Sequence, residues 1–288
     1  MLLPGILVTG IFSYAPMYGL YMAFSDYKLG RSILGARFVG LANFKEFILD
    51  SIDFLSLLRN TIAMNILSLF IGLLVAMIMA IILNETHVLR IKKIVQTSTF
   101  FPFFISWVIV YNIFSVFLGS QSGVLNTFMK DIGLIKKSIN YLTDPRYSWG
   151  LIVGANLWKM LGYNSVLFLA SISGIEVDLY EAADIDGADR LQKIWFITIP
   201  AILPTLQVLL VLNFGHIFSS NFDQFYLFTN GLNRPTMEVF DMYVYRFGLK
   251  QLNYSYATAV GFGKSFAGLI MIIIMNRVSK KVSGRSVF

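Results

Sequence analysis

The sequence contains no cysteine and few charged side chains. Without a thiol in its 288 residues, the chain can form neither a disulfide framework nor a thiolate metal site. Charged residues make up only 14% of the chain and hydrophobic residues 56%, and the mean hydropathy is +0.68. This balance indicates an integral membrane protein. The net charge of +7 is better explained by loops that meet anionic lipid than by nucleic-acid binding.

Six apolar segments are long enough to cross a bilayer. A helix needs about 20 residues to cross roughly 30 Å of hydrocarbon, and long continuous apolar runs favour helices over a barrel. The predicted spans are 2–24, 57–83, 94–118, 148–173, 201–222 and 256–276, with a kink at Pro102 in the third. We therefore predict an all-α integral membrane fold, with residues 1–288 forming a single transmembrane domain.

The first span starts directly in apolar sequence. It contains no charge before Asp26, no basic region precedes it, and it is too long for a cleaved signal peptide. We expect that a short cytoplasmic leader is missing from this sequence.

A highly charged stretch separates the fourth and fifth spans. Between Glu176 and Lys193, acidic and basic residues recur at short intervals, and each would cost about 2.5 kcal/mol or more at the centre of a bilayer. Asp178 and Glu181 have the spacing of a capping box. Gly187 interrupts the helical pattern that follows. The stretch therefore predicts two short amphipathic helices joined at Gly187 and held at the membrane surface.

The same stretch carries a recognisable motif. Its residues follow the pattern EAA-x3-G-x9-I-x-L-P, with Ile199 in place of Leu. The motif resembles the cytoplasmic coupling loop of membrane subunits of bacterial binding-protein-dependent ABC importers. The resemblance implies a type I importer permease fold, in which a coupling helix within loop 175–200 docks on an ATP-hydrolysing subunit. The implied docking residues are Glu181, Ala182, Ala183, Gly187, Ile197 and Pro200.

The resemblance also implies partners. It implies a second related permease subunit, a dimer of ATP-binding subunits and an extracytoplasmic solute-binding protein. The sequence has no GxxxxGK[ST] phosphate loop, so we expect ATP and Mg²⁺ to be bound by the partner and no catalytic or metal site in this chain. The opening LLPG and the segment NYLTDP at 140–145 further resemble the polysaccharide branch of these permeases, which includes alginate importers.

Basic residues near the predicted helix ends suggest an orientation. Lys and Arg are more numerous in the long loops of one side, but on the other side they are packed into short segments at 84–93, 174–200 and the C-terminal tail. The positive-inside rule gives most weight to short juxtamembrane runs. We therefore expect a multi-pass protein of the bacterial cytoplasmic (inner) membrane with both termini in the cytoplasm.

Polar residues inside the fourth and fifth spans are candidates for a substrate path. At three- and four-residue spacing they form one stripe on each predicted helix, and amides, hydroxyls and aromatic rings suit a sugar. The candidates are Asn156, Lys159, Tyr163, Asn213, His216 and Ser220. The resemblance to maltose-type permeases implies that these six positions, together with Met160 and Ile217, correspond to the sugar-contacting positions of that family.

The charges among these spans suggest a substrate class. Lys159, His216 and Lys264 give the interior a cationic bias, which favours an anionic or uronic-acid-containing oligosaccharide, alginate being one candidate. Two alternatives remain for Lys159, since its side chain can also snorkel to the interface or pair with Asp223. Asn and Ser in spans also commonly serve only as interhelical hydrogen-bonding groups.

Two other function classes are alternatives to an importer subunit. A secondary transporter driven by an ion gradient predicts internal repeats and broken helices with embedded carboxylates. An intramembrane enzyme needs a nucleophile and base, or a metal cluster, at depth. The chain shows no evident repeat, and its two separated histidines supply no such centre. The permease subunit is the preferred interpretation.

Overall fold

The computed structural model describes residues 2–283, and these residues form a bundle of long helices. Within the described part of the chain, four helices are long and apolar enough to cross a membrane, and two bent helix pairs raise the number to six if each pair is one span. The four are α1 (Leu3–Phe24), α3 (Phe54–Glu85), α9 (Arg190–Gly215) and α13 (Tyr254–Ser283). The first pair is α4 (Leu89–Phe104) with α5 (Trp107–Leu118). The second is the segment Pro145–Ser173 with α8 (Val177–Ile185), and α7 (Ser148–Ser173) is the α-helical part of that segment.

Short elements connect the spans on the side opposite to α8. Strands β1 (Ser25–Asp26) and β2 (Arg37–Phe38) pair antiparallel, with Ser25 opposite Phe38. Asn43 holds this hairpin through its side-chain amide, which donates to the carbonyls of Ala23 and Ser25 at 2.9 and 3.2 Å. The short helices are α2 (Ala42–Lys45), α6 (Val124–Asp131), α10 (Phe222–Phe228), α11 (Arg234–Met237) and α12 (Phe240–Tyr245). Single π or 3₁₀ turns lie at Glu46–Asp50, Pro145–Tyr147 and Arg246–Lys250.

The predicted third span is two helices instead of one kinked helix. The sequence suggested one helix over 94–118 kinked at Pro102, whereas α4 begins at Leu89 and the chain turns by 109° between α4 and α5. The break follows Phe104, because Ser106 adopts an extended conformation and its hydroxyl accepts a hydrogen bond from the Ile109 amide at 3.5 Å, starting a new helix. Pro102 lies within the last, 3₁₀ turn of α4.

The predicted fifth span is wrong at both ends. The helix begins at Arg190, within the predicted loop, and it ends at Gly215 instead of continuing to 222. Beyond Gly215 the chain leaves the helix because side chains from other elements bind its backbone. The Asn65 amide of α3 donates to the carbonyl of Ile217 at 2.7 Å, and the Asp241 carboxylate accepts from the Ser220 amide at 2.8 Å. The remaining predicted spans agree with the observed helices within a few residues, apart from the later end of the sixth.

The core lies along α3 and α7, which pack against each other over their length. One cluster of buried side chains, including Leu73, Ala76, Phe168 and Ile202, joins these two helices to α9. A second cluster, including Met64, Trp107 and Ile152, joins them to α5. These two helices and the ends of their neighbours therefore surround the space in which the polar residues meet.

Candidate functional site: a polar cavity and a surface loop

A cavity of about 460 Å³ opens among α3, α7, the corner between α4 and α5, and the end of α9. Its walls are rich in amide and hydroxyl side chains, and none of the described residues that line it is acidic. The polar lining residues are Asn65, Ser68, Asn156, Lys159, Asn164, Asn213, His216, Ser219 and Asn221. Phe103, Trp107 and Met160 add apolar surface.

The structure brings together four of the residues that the sequence suggested for a substrate path. Asn156, Lys159, Asn213 and His216 all line the cavity. The idea that His216 and Ser220 continue a helical stripe from Asn213 is wrong, because the helix ends at Gly215. His216 reaches the cavity from the irregular segment 216–221 instead.

Tyr163 and Ser220 point to other partners. The ring of Tyr163 stacks on that of Phe103, with 4.7 Å between the centroids and 11° between the planes. The hydroxyl of Ser220 lies 3.2 Å from the side-chain amide nitrogen of Asn65. Neither residue is among those that line the cavity.

Lys159 is buried and satisfied by backbone carbonyls. The residue is only 7% exposed. Its ammonium donates to the carbonyl oxygens of Pro102 at 3.1 Å, Phe103 at 2.9 Å and Ile105. The ring of Trp107 lies 5.5 Å from the same nitrogen. Lys159 therefore neither snorkels to the interface nor pairs with Asp223.

Lys264 does not add a free positive charge to the cavity. Its ammonium forms an ion pair with Asp241 at 2.5 Å, and Asp241 also accepts the Ser220 amide. Lys264 is not one of the lining residues. Of the three basic residues considered, only Lys159 and His216 therefore line the cavity.

Helix α3 forms a further wall of the cavity, which was not predicted from the sequence. Asn65 and Ser68 line the cavity, and the buried Thr61 lies one turn before Asn65 on the same helix. Positions 61, 65 and 68 have four- and three-residue spacing, so they form a polar stripe within an otherwise apolar span. That stripe was the signal for a third wall of the cavity. Phe103 and Trp107 gave no such signal, because aromatic residues are common throughout this chain.

In the surface loop, two helices meet at Gly187, as predicted, but the second is not a separate short helix, because it continues from Arg190 to Gly215 as α9. Helix α8 ends in a Schellman turn, in which the amide of Ala188 donates to the carbonyl of Ala183 at 2.9 Å and that of Gly187 to Asp184 at 3.1 Å. Gly187 has a φ of +75°, which is unfavourable for residues with a Cβ atom. The next helix, the first part of α9, starts at Arg190.

The capping box of this loop lies elsewhere than predicted. Asp178 is inside the first turn of α8, which is capped by Glu176 without a side-chain hydrogen bond. The capping box is formed by Asp189 and Gln192, each of which accepts the backbone amide of the other at 2.8 Å. A capping residue must precede the helix. Helix α8 already begins at Val177, so Asp178 lies inside it and cannot be its cap.

Side-chain contacts brace the loop and leave one surface uncovered. The Asp184 carboxylate pairs with the Lys193 ammonium across the turn, and the hydroxyls of Tyr180 and Thr198 lie 2.9 Å apart. Glu181, Ala182, Gly187 and Pro200 are exposed, whereas Ala183 and Ile197 are partly buried. Large apolar side chains beside them are exposed as well, Ile185 by 88%. An uncovered apolar surface of this kind is typical of a protein interface.

Comparison with known proteins identifies this architecture. Residues 69–284 match the family described as "Binding-protein-dependent transport system inner membrane component". Two relatives from Bacillus subtilis (strain 168) are similar over the whole chain. Protein LplB is 39% identical, with 100% of this chain and 90% of the relative covered. The polygalacturonan/rhamnogalacturonan transport system permease protein YteP is 38% identical, with 100% and 89% covered.

A solved structure has the same fold. It is a bacterial alginate ABC transporter in complex with an alginate pentasaccharide-bound periplasmic protein. The TM-score is 0.90 at 35% sequence identity, with 100% of this chain and 95% of that chain covered. The chain therefore belongs to the family of binding-protein-dependent transport system inner membrane components and has the type I ABC importer permease fold.

Proposed function

We propose that this chain is the permease subunit that forms half of the translocation path of an ATP-driven oligosaccharide importer. In this proposal residues 1–288 act as one transmembrane domain of the bacterial inner membrane, with both termini in the cytoplasm. A solute-binding protein delivers the sugar, and a second related permease subunit completes the path. The observation that carries the proposal is the polar cavity, because it lies beside α7, the helix that leads directly into the surface loop.

The chemistry of the cavity supports a sugar as the substrate. Five of its polar lining residues are asparagines, namely Asn65, Asn156, Asn164, Asn213 and Asn221, and amides can both donate to and accept from sugar hydroxyls. Since the described lining carries the positive charge of Lys159 and no carboxylate, the electrostatic field in the cavity favours an anionic sugar, although the Lys159 ammonium itself donates to backbone carbonyls. The names of two similar proteins, one for polygalacturonan/rhamnogalacturonan and one for alginate, support the same substrate class, and alginate is one candidate.

The surface loop supplies the proposed contact with the ATPase. Glu181, Ala182, Ala183 and Gly187 form the docking surface, and Ile197 to Pro200 guide the chain back into the span. The small alanines allow close approach, Glu181 provides a charge-assisted contact, and Gly187 permits the turn. ATP and Mg²⁺ are bound by a dimer of the partner ATPase, whose closure rocks the helices around the cavity.

Co-purification tests the docking proposal. The solubilised chain is expected to retain an ATP-hydrolysing subunit from its host, and Gly187→Pro combined with Glu181→Lys is expected to release it. Gly133→Pro is a matched control, because Gly133 has the same φ of +75° and its amide donates a similar bond, to Lys130 at 2.9 Å, but it lies in the loop after α6. If neither the parent chain nor the control retains an ATPase, the proposal fails and an ion-gradient-driven secondary transporter becomes the leading alternative.

Transport by the reconstituted importer tests the substrate class. Uptake of a uronic-acid oligosaccharide is expected to exceed that of a neutral oligosaccharide of equal length. Asn156→Ala and His216→Ala are expected to lower uptake, whereas Asn112→Ala, on the exposed side of α5, serves as the control. Equal uptake of both sugars by the parent would rule out the anionic substrate while leaving the importer itself in place.

A further inference from the structure

The corner between α4 and α5 is held against α7 at its carbonyl groups. A helix that ends inside a bundle leaves carbonyl oxygens without their usual amide partners. Here the oxygens of Pro102, Phe103 and Ile105 converge on one atom, the Nζ of Lys159. An ammonium has three N–H donors and no acceptor. All three donors of Lys159 are therefore committed to the protein backbone.

Two further contacts fix the same corner to the same face of α7. A Cβ atom on Gly162 would lie 2.3 Å from the carbonyl oxygen of Thr99 and 2.4 Å from the Cα of Phe100, so the backbones touch at this point. One residue later, Tyr163 stacks on Phe103. Positions 159, 162 and 163 share a helix face. We call Lys159, Gly162 and Tyr163 the corner clamp.

The corner is also a wall of the cavity. Phe103 and Trp107, on the two sides of the break, both line the cavity together with Asn156 and Lys159 of α7. A displacement of the corner would therefore move this wall relative to the asparagines that line the rest of the cavity.

We propose that the corner clamp holds this wall in place, so that Lys159 is a positioning residue and makes no hydrogen bond to the transported sugar. The inference rests on the proposed function, in which the cavity carries a sugar. It assigns to Lys159 a role opposite to that of an anion-binding residue. Because α7 leads into the surface loop, the clamp also makes the wall move with α7 when the loop is displaced.

The two roles predict different behaviour for two variants. Lys159→Met removes the ammonium, and Lys159→Arg keeps the charge but replaces three convergent donors by a flat fork. A positioning residue predicts that both variants impair transport of neutral and uronic-acid oligosaccharides alike, with KM raised about tenfold for each, the equivalent of one charged hydrogen bond. A direct anion ligand predicts a loss confined to the anionic sugar and to Lys159→Met.

Trp107 provides a readout that does not depend on transport. The chain has four tryptophans, so replacing Trp149, Trp158 and Trp195 by Phe leaves Trp107 as the single tryptophan of the purified, detergent-solubilised full chain. Its accessibility to acrylamide is expected to increase in both Lys159 variants, because the corner loosens and the buried indole becomes exposed.

Gly162→Ala tests the clamp without touching any charge. Its new methyl group must push the corner away from α7, so Trp107 is expected to become more accessible and KM to rise for both sugars. Gly154→Ala is the matched control, because a Cβ atom at Gly154, on the same helix, meets nothing within 4 Å. It is expected to behave like the parent.

The outcomes separate this inference from the proposed function. Unchanged Trp107 accessibility in Lys159→Met and Gly162→Ala would overturn the clamp, and so would normal KM for the neutral sugar in Lys159→Met. A parent transporter that moves no oligosaccharide would overturn the proposed function, and the quenching experiment would still decide whether the corner is clamped.

Discussion

The surface loop and the cavity are built from contacts of very different range. In the loop, the capping box joins residues three positions apart, and the Tyr180–Thr198 contact joins residues 18 apart. In the cavity, Lys159 reaches back 57 positions to Pro102, and Asn65 reaches forward 152 positions to Ile217. Apart from the Arg190 guanidinium, which lies 3.2 Å from the ring of His87, the loop contacts named here are made among its own residues, whereas the cavity exists only once α3, α4, α7 and α9 have packed.

This difference predicts which substitutions unfold the protein and which only uncouple it. A local turn can be weakened without disturbing distant helices, because its hydrogen bonds close within it. A buried contact between distant elements holds several of them at once, and its loss exposes polar groups with no alternative partner. Substitutions near the cavity should therefore reduce overall stability, and substitutions in the loop should not.

Lys264→Met is expected to have the largest effect. It leaves Asp241 as an unpaired, largely buried carboxylate, with the Lys264 and Asp241 side chains only 14% and 23% exposed in the pair. Breaking a buried pair by removing one partner costs about 3–5 kcal/mol. The free energy of unfolding, measured by denaturant titration in detergent, should fall by this order.

The matched control for that pair removes both charges. Lys264→Met with Asp241→Asn leaves an amide oxygen that can still accept the Ser220 amide, now 2.8 Å from the carboxylate. Most of the lost stability should return. If the single variant has the same free energy of unfolding as the parent, the pair does not stabilise the packing of distant elements. The contrast between the cavity and the surface loop would then be wrong where the largest effect is expected.

Asn65→Leu is expected to have the next largest effect. The substitution removes donors to the carbonyls of Ile217 and Ser219, at 2.7 and 3.3 Å. An unsatisfied buried group costs about 1–3 kcal/mol, so the free energy of unfolding should fall by about 2 kcal/mol. Hydrogen exchange in segment 216–221 should accelerate, while Asn112→Leu, on the exposed side of α5, should leave it unchanged.

The same contrast explains what the sequence could predict. The turn at Gly187, the helices beside it and the bounds of α7 follow from local patterns, namely a glycine among helical residues and a continuous apolar run. The break after Phe104 and the helix end at Gly215 do not, because Lys159 and Asn65 satisfy the backbone there from far along the chain. Around Ser106 the sequence stays apolar, so hydropathy predicts a continuous helix there, and the polar residues after Gly215 are equally compatible with a polar stripe on a helix.

Gly187→Ala is expected to act on the loop alone. A residue with a Cβ atom in the left-handed region costs roughly 1–2 kcal/mol, and a Cβ at Gly187 meets no neighbour within 4 Å, so the cost is conformational. Transport should fall while the unfolding of the spans is unchanged. Gly133→Ala, at the same φ of +75° in another loop, should leave transport closer to the parent value. A fall in overall stability with Gly187→Ala alone would show that the loop supports the helices after all.

The smallest effect distinguishes the observed capping box from the predicted one. Asp189 accepts the Gln192 amide at 2.8 Å, so Asp189→Ala should destabilise the start of α9 by about 1 kcal/mol. Asp178 makes no capping bond in the first turn of α8 and contributes there only through the helix dipole, about 0.3–1 kcal/mol. Amide hydrogen exchange at Gln192 should therefore accelerate about fivefold in Asp189→Ala, the equivalent of that free energy, and remain unchanged in Asp178→Ala. Equal exchange at Gln192 in the two variants would mean that α9 begins without this cap, and that the loop is fixed by its turn at Gly187 rather than by its helix ends.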